Sequence, residues 1–373
     1  MRALLTFGES HVTKLASGIV ILALASTAIW AAPAFAQMGK SNPGTGEEMR
    51  SAPGGADIKL GDAKPIAPPK IEADEASRAP ILDEGKAVES FTVLTRSADG
   101  KVSRSSPSEE MRGLVIEDMK KEAGKGSMKL EKSGDPSFAN EEEAGRQVFG
   151  PDDRVQIQNT KVFPFKAFGY IEAKSKTGTG SCSGTLIGPR TVLTAAHCLY
   201  SNDDGGWLTD VLFAPGLNGF EDAPFGAYAA ESTSIVEGFV TNYQGFYGSV
   251  VPWDLGIITL AEPVGDTLGW LGYSNYDGLG DFTANIVGYP GDKDPPALMW
   301  RATCEVVAEN VGTENFGYDC DTYPGSSGSS VYAYDEGLKQ RVVVGVNIAE
   351  SPEFNTAVRL NASYVAWINS LWK

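Results

Sequence analysis

The chain is short of histidine, cysteine and helical periodicity, and each shortage narrows what its 373 residues can do. It holds two histidines, and His11 lies in an apolar N-terminal segment. Once that segment is removed, His197 is the single imidazole left for proton transfer near neutral pH. There are four cysteines and no Cys-x-x-Cys pair, and one histidine cannot complete a mixed zinc site, so no metal or cofactor is expected. An even count in an exported chain favours two disulfides. Of the three possible pairings, the sequence-local ones, Cys182–Cys198 and Cys304–Cys320, are expected. Positive charge is scarce as well, with 31 Lys and Arg against 48 Asp and Glu and a net charge of −17. Most of that excess lies after residue 146, which argues against nucleic-acid and anionic-membrane partners and for a soluble, self-repelling monomer. No internal repeat of fixed period is present.

What is present falls into three stretches. Residues 1–36 read as a secretory signal: Arg2 and Lys14 are basic, Leu15 to Trp30 are apolar or small, and Ala34-Phe35-Ala36 fits a signal-peptidase site. An uncleaved anchor is the alternative. Residues 37–146 are rich in Gly, Pro, Lys, Glu and Ser, as in Lys64-Pro65-Ile66-Ala67-Pro68-Pro69. Such composition buries too little apolar surface to offset chain entropy, so much of this stretch is expected to be loose, either a removed propeptide or a retained arm. Two pieces within it read as ordered: a strand at Phe91–Thr95 entering a turn at Asp99-Gly100, and a short helix from Arg112 to Lys121. From residue 147 to the end, β-rich runs alternate with Gly, Pro, Asn and Asp turns. These include Lys161–Phe165, Phe168–Ile171, Gly184–Ile187, Leu255–Leu260, Asn285–Tyr289 and Arg341–Val346. The pattern predicts an all-β barrel or sandwich. A terminal helix follows Asn361 as N-cap, with Val365, Ile368 and Trp372 on one face.

The residues that carry chemistry lie in this last stretch. Thr191–Thr194 delivers His197 at the end of a short apolar strand. A hydroxyl nucleophile needs such a base, and the base needs an orienting acid. Pro324-Gly325-Ser326-Ser327-Gly328 supplies a serine between glycines, where the N–H groups of Gly325 and Ser327 could form an oxyanion hole; taken alone it also reads as a polar hairpin. Asp254, in Trp253-Asp254-Leu255-Gly256, places a carboxylate at the mouth of an apolar strand, where it needs a polar partner. Asp203, Asp204 and Asp210 form an acidic loop in which calcium is conceivable, although no known loop pattern is present and a solvated loop is the expectation.

Together these stretches resemble the chymotrypsin-fold (trypsin-like) serine proteases. Cys182 to Cys198, ending in Thr194-Ala195-Ala196-His197-Cys198, is similar to that family's disulfide-closed histidine loop, and the order His197, Asp254, Ser327 follows the family's chain order. Asp152-Asp153-Arg154, Ile187-Gly188-Pro189-Arg190-Thr191, Gly269-Trp270-Leu271-Gly272-Tyr273 and Cys320-Asp321-Thr322-Tyr323 resemble the bacterial glutamyl-endopeptidase-like branch. The resemblance spans residue 147 to the end. It implies two six-stranded antiparallel β-barrels, the first at about 155–262 and the second at about 270–360, with the C-terminal helix at 362–373. It further implies a secreted or periplasmic endopeptidase acting on proteins or peptides through a Ser-His-Asp triad, made as a zymogen and cut near Arg146.

Two departures bear on specificity and activation. Ser326 stands where digestive relatives keep the aspartate that pairs with the new N-terminus. Asn347 stands where the glutamyl branch has a pocket histidine, which weakens the expectation of cleavage after Glu. Asp321 occupies the pocket-floor position of trypsin-like enzymes, beside Thr322, so acidic, basic and small or apolar residues at the cut all stay open. A catalytically silent binding protein and a secreted esterase are the rival functions.

Overall fold

The computed structural model describes residues 39–44, 60–61, 63–67, 71, 79–122, 150–276, 278–335, 337–351 and 353–373. The expected signal segment and the expected cut at Arg146 lie outside them.

The described residues of the leader form several regular elements. After the two-residue strand β1 (Lys64–Pro65) come helix α1 (Glu84–Ser90), strands β2 (Val93–Ser97) and β3 (Val102–Ser105), and helix α2 (Glu109–Glu122). The expected strand, turn and helix are therefore all present. Asp83 caps α1 by accepting the Lys86 N–H at 2.9 Å. Val88, Phe91, Met111 and Val115 supply the buried apolar face that holds these elements, while much of the stretch expected to be loose lies outside the described residues. Helix α2, fourteen residues long, is the longest described, and no described helix is long and apolar enough to cross a membrane.

The next strands are β4 (Val155–Gln156), β5 (Phe168–Lys174), β6 (Thr179–Leu186), β7 (Thr191–Thr194), β8 (Tyr200–Ser201), β9 (Gly206–Trp207), β10 (Thr209–Pro215) and β11 (Tyr228–Val236). Helix α3 (Gly238–Thr241), strand β12 (Gly256–Leu260) and helix α4 (Gly265–Leu268) follow. Strands β10, β5, β6, β7, β12 and β11 pair in that order, and β10 pairs back to β11, so six strands close a barrel. The β2–β3 hairpin extends this sheet along β11, from Val93↔Val236 to Ser97↔Ser232. The apolar run at Lys161–Phe165 forms no strand. Pro164 has no N–H to give a ladder, and the chain passes into a tight turn at Phe165–Ala167.

The second sheet contains β13 (Gly272–Tyr273), β14 (Phe282–Gly288), β15 (Trp300–Val306), β16 (Asn315–Tyr318), β17 (Ser330–Asp335), β18 (Gln340–Glu350) and β19 (Asn355–Arg359), followed by helix α5 (Ala362–Leu371). Its order is β16-β19-β18-β17-β14-β15-β4, with β13 parallel to β18. Here the expectation of two closed barrels is corrected: the first barrel closes, but the second sheet is a half-barrel whose path does not return on itself. The two ends of its path are β16 and β4, and the Cys304–Cys320 disulfide ties β15 to the segment that follows β16. Strand β4 joins this second sheet although it precedes the first barrel in sequence.

Helix α5 ends the chain as expected. Asn361 Oδ1 accepts the Tyr364 N–H at 3.0 Å, and Val365 and Ile368 are buried. Trp372 lies beyond the helix, where its Nε1 donates to the Ile187 carbonyl at 2.8 Å. The leader packs on this helix, because Asp118 accepts both the backbone N–H and the hydroxyl of Ser363, at 3.0 and 2.6 Å.

Candidate active site

Strand β7 is buried along its whole length between β6 and β12, and its end fixes the histidine. A tight turn at Ala196–Cys198 follows it, held to β6 by the Cys182–Cys198 disulfide. Strand β12 runs antiparallel to β7 with Gly256 opposite Thr194. The residues just before β12 therefore meet those just after β7, which brings Asp254 to His197. Asp254 is fully buried; its Oδ1 accepts the His197 backbone N–H at 2.9 Å and its Oδ2 lies 2.6 Å from His197 Nδ1. A buried carboxylate is costly unless donors surround it, and here they do.

A third donor to Asp254 went unnoticed in the sequence. The Tyr247 hydroxyl also donates to Asp254 Oδ2, and its ring stands edge-on to His197 with centroids 6.2 Å apart. Burial, then the Asp254 charge, pushes the Tyr247 hydroxyl well above its ordinary value, so it stays a donor. No motif marks this tyrosine. Only its place in a loop seven residues before Asp254 could have suggested it.

Ser327 comes from the other half of the molecule, in the loop entering β17. Gly325 at φ +102° and Gly328 at φ +83° supply the left-handed turns that flank it. The loop is fastened on both sides. Ser183 of β6 donates its N–H to the Ser327 carbonyl at 2.8 Å, and Gly328 donates to the Asn347 carbonyl of β18 at 2.8 Å. Cys198 Sγ lies 3.7 Å from the Ser327 carbonyl oxygen, which seats the serine against the residue next to His197. His197 Nε2 and Ser327 Oγ are both buried, and neither has a hydrogen-bond partner among the described residues. Two of the three expected side chains are thus joined by a hydrogen bond, while the third is brought toward them through its backbone carbonyl, which lies against Cys198.

The backbone N–H groups of Ser326 and Ser329 are spent on the carbonyls of Tyr323 and Ser326. Those of Gly325 and Ser327 donate to no backbone carbonyl among the described residues, which leaves them available to an oxyanion.

The expected pocket residues are all buried and engaged. Asn347 donates through Nδ2 to the Ser326 carbonyl at 3.2 Å and accepts from the Tyr318 hydroxyl through Oδ1 at 2.5 Å. Asp321 accepts the Asp153 N–H at 3.1 Å. Thr322 donates to Glu350 Oε1 at 3.0 Å, and Glu350 is a second residue that sequence reading missed. Burial pushes the Glu350 carboxyl up to about 8, against the opposing pull of the Thr322 hydrogen bond and the Arg154 charge. Arg154 is itself buried, gripping Asp152 at 2.8 Å and Asp292 at 2.5 Å. This hydrogen bond holds Asp152 well below the usual carboxylate range.

The acidic loop does not converge. Asp210 pairs with Lys174 at 3.0 Å, and Asp203 accepts from the Tyr243 hydroxyl at 2.5 Å. Among the described residues, the one cluster of potential metal ligands is Cys182, His197 and Cys198.

Residues 182–346 match the family model described as the trypsin-like peptidase domain. Over 210 residues the chain is 34% identical to a glutamyl endopeptidase of Bacillus licheniformis, covering 56% of this chain and 62% of that protein. Over 216 residues it is 32% identical to a protein of Bacillus subtilis named extracellular metalloprotease, covering 57% and 66%. The chain thus spans just under two thirds of the length of these curated relatives. A solved structure of a Glu endopeptidase in complex with MPD superimposes with a TM-score of 0.53 and 28% identity, covering 60% of this chain and 98% of that one. The metal in the second relative's name finds no fit here: the sulfurs of Cys182 and Cys198 are spent on each other, which leaves His197 alone.

Proposed function

We propose that this chain, with a trypsin-like peptidase domain related to the glutamyl endopeptidases, is an exported serine endopeptidase. His197, oriented by Asp254, takes the proton of Ser327 as its Oγ attacks a peptide carbonyl. The N–H groups of Gly325 and Ser327 hold the oxyanion, and His197 then protonates the leaving amine. Water, activated by the same imidazole, releases the acyl-enzyme. No cofactor enters this sequence.

One observation carries the reading. A buried imidazole is fixed through Nδ1 by a buried carboxylate, while its Nε2 and the Ser327 hydroxyl lie buried in the same region without partners. Burying two such polar atoms is unfavourable, which is sensible where they serve a substrate. Catalytic hydrogen bonds in unliganded enzymes are often long and tighten on substrate binding.

The reading includes export through the signal at 1–36, a propeptide over 37–146 and maturation by cleavage near Arg146. Removal of the segment would leave residues 147–373, with a new N-terminus close in sequence to Asp153 and Arg154, the residues that touch Asp321 and Asp292. Asp321, Thr322 and Asn347 form the wall of the specificity pocket, joined there by Glu350. Burial raises the Glu350 carboxyl to about 8, so at neutral pH the negative charge this wall offers comes from Asp321 rather than Glu350.

The test is labelling of the processed protein with an active-site-directed fluorophosphonate. Stoichiometric labelling at Ser327 is expected, and Ser327→Ala should lower peptide hydrolysis by about 10^4-fold or more. Intact hydrolysis in Ser327→Ala would overturn the assignment. Faster hydrolysis of simple lipid esters than of peptides would favour an esterase.

A further inference from the structure

A short piece of the leader lines the cavity beside His197 and rests on the loop that precedes Ser327. Strand β1 pairs in parallel with β6, Lys64 opposite Gly180 and Pro65 opposite Ser181, and Ile66 donates its N–H to the Ser181 carbonyl at 2.9 Å. Two residues further along β6, Ser183 holds the Ser327 carbonyl. Upstream, Gly61 donates to buried Glu172 Oε2 at 2.7 Å. Downstream, Ile71 is 1% exposed and donates its N–H to the Glu350 carbonyl at the end of β18. The segment therefore starts on the first barrel and ends on the second sheet, and the nucleophile's loop lies between its anchors.

Pro65 makes the closest approach. A β-carbon on Gly291 would collide with its ring, and one on Gly325 would lie 3.5 Å from it. Glycine at these two positions lets a proline ring rest on the loop that carries the candidate oxyanion hole. Ile66 is matched in the same way, since a β-carbon on Gly180 would fall 2.5 Å from its side chain. Residues 64–67 also form one wall of a cavity of about 380 Å3 whose other walls include His197, Phe239 and Tyr247. A substrate reaching His197 along the β6 edge would need the N–H and carbonyl groups that this segment already uses.

We propose that the cleft is a binding site for the chain's own Lys64–Ala67, a proline-bearing stretch anchored through Gly61 and Ile71, which inhibits in the intact chain and binds again as part of a separate ligand after processing. This rests on the serine-endopeptidase reading above and names a ligand of that same site. Attachment at both ends, and a proline that offers no N–H, suit a ligand that fills the cleft without being turned over. Pre-ordering by the parent chain makes binding intramolecular, so a contact set of moderate strength suffices to block the cleft until the link is cut.

Three measurements on the full chain test this. In the Ser327→Ala chain, the amide protons of Ile66 and Ile71 should exchange much more slowly than in a free peptide of sequence 60–71. Exchange at the free-peptide rate would overturn the proposal, whatever the enzyme's activity. In the full chain with Ser327 intact, Ile66→Asp and Ile71→Asp should each raise the rate of fluorophosphonate labelling by about tenfold or more, the effect of weakening a contact by about 1.4 kcal/mol. Adding the 60–71 peptide to these variants should restore slow labelling, which damage to the fold would not allow. Equal labelling of variant and parent, or no rescue by the peptide, would overturn the proposal. A chain that never labels in any form, yet shows the slow exchange, would count against the endopeptidase reading and leave the bound segment standing.

Discussion

Asp254, fully buried, receives three donors: the His197 amide, the His197 ring and the Tyr247 hydroxyl. The first two orient the imidazole. The tyrosine shares Oδ2 with the ring and holds the carboxylate in the orientation that fixes the imidazole. Tyr247→Phe should therefore lower kcat by about tenfold with KM nearly unchanged, in line with loss of one hydrogen bond to a charged group. A change in KM with kcat unchanged would show a packing role only. His197, Asp254 and Ser327 were readable from local motifs, because each sits in a short run whose residue types the chemistry requires. Tyr247 and Glu350 were not readable, because nothing beside them in sequence reveals which buried group they face.

Among the elements, strands and the terminal helix were the most legible, since alternation and an Asn cap act within a few residues. Closure was not legible. Whether the last strand of a sheet meets the first depends on curvature summed over all strands, and in the second sheet the end strands β16 and β4 do not pair, while a disulfide ties β15 to the segment after β16. Replacing Cys304 and Cys320 by Ala should thus lower unfolding stability by about 3 kcal/mol, measured in denaturant, for a loop of this length. Peptidase activity of the surviving folded fraction should change little. The same exchange at Cys182 and Cys198 should lower activity as well, because that bridge holds the turn carrying His197. Equal effects of the two exchanges on activity would contradict this division.

Across the whole molecule, the leader and the catalytic part are built as one packed unit, with β2 on β11, α2 on α5 and Ile71 against β18. Its pH response should be set in part by Glu350, whose folded value near 8 stands above the ordinary 4.5. Below about pH 4.5 both folded and unfolded chains hold that proton, and its burial costs nothing. As pH rises from about 4.5 to about 8 the unfolded chain ionises more readily, so stability falls; above that the decline ends. Glu350→Gln should remove this decline, giving a higher Tm at pH 8 and little change at pH 4.5. A Tm profile identical to the parent's would refute it. The sequence by itself determined the β-rich class, the helix cap, the local cysteine pairs and the residues able to do acid–base and nucleophilic chemistry, because those follow from composition and spacing over short distances. Only the tertiary structure decided that the second sheet stays open, that Tyr247 meets Asp254 and Glu350 meets Thr322, and that Lys64–Ala67 line the cavity beside His197. Each of these depends on which distant surfaces meet, and that is fixed by burial and hydrogen bonding across the folded chain.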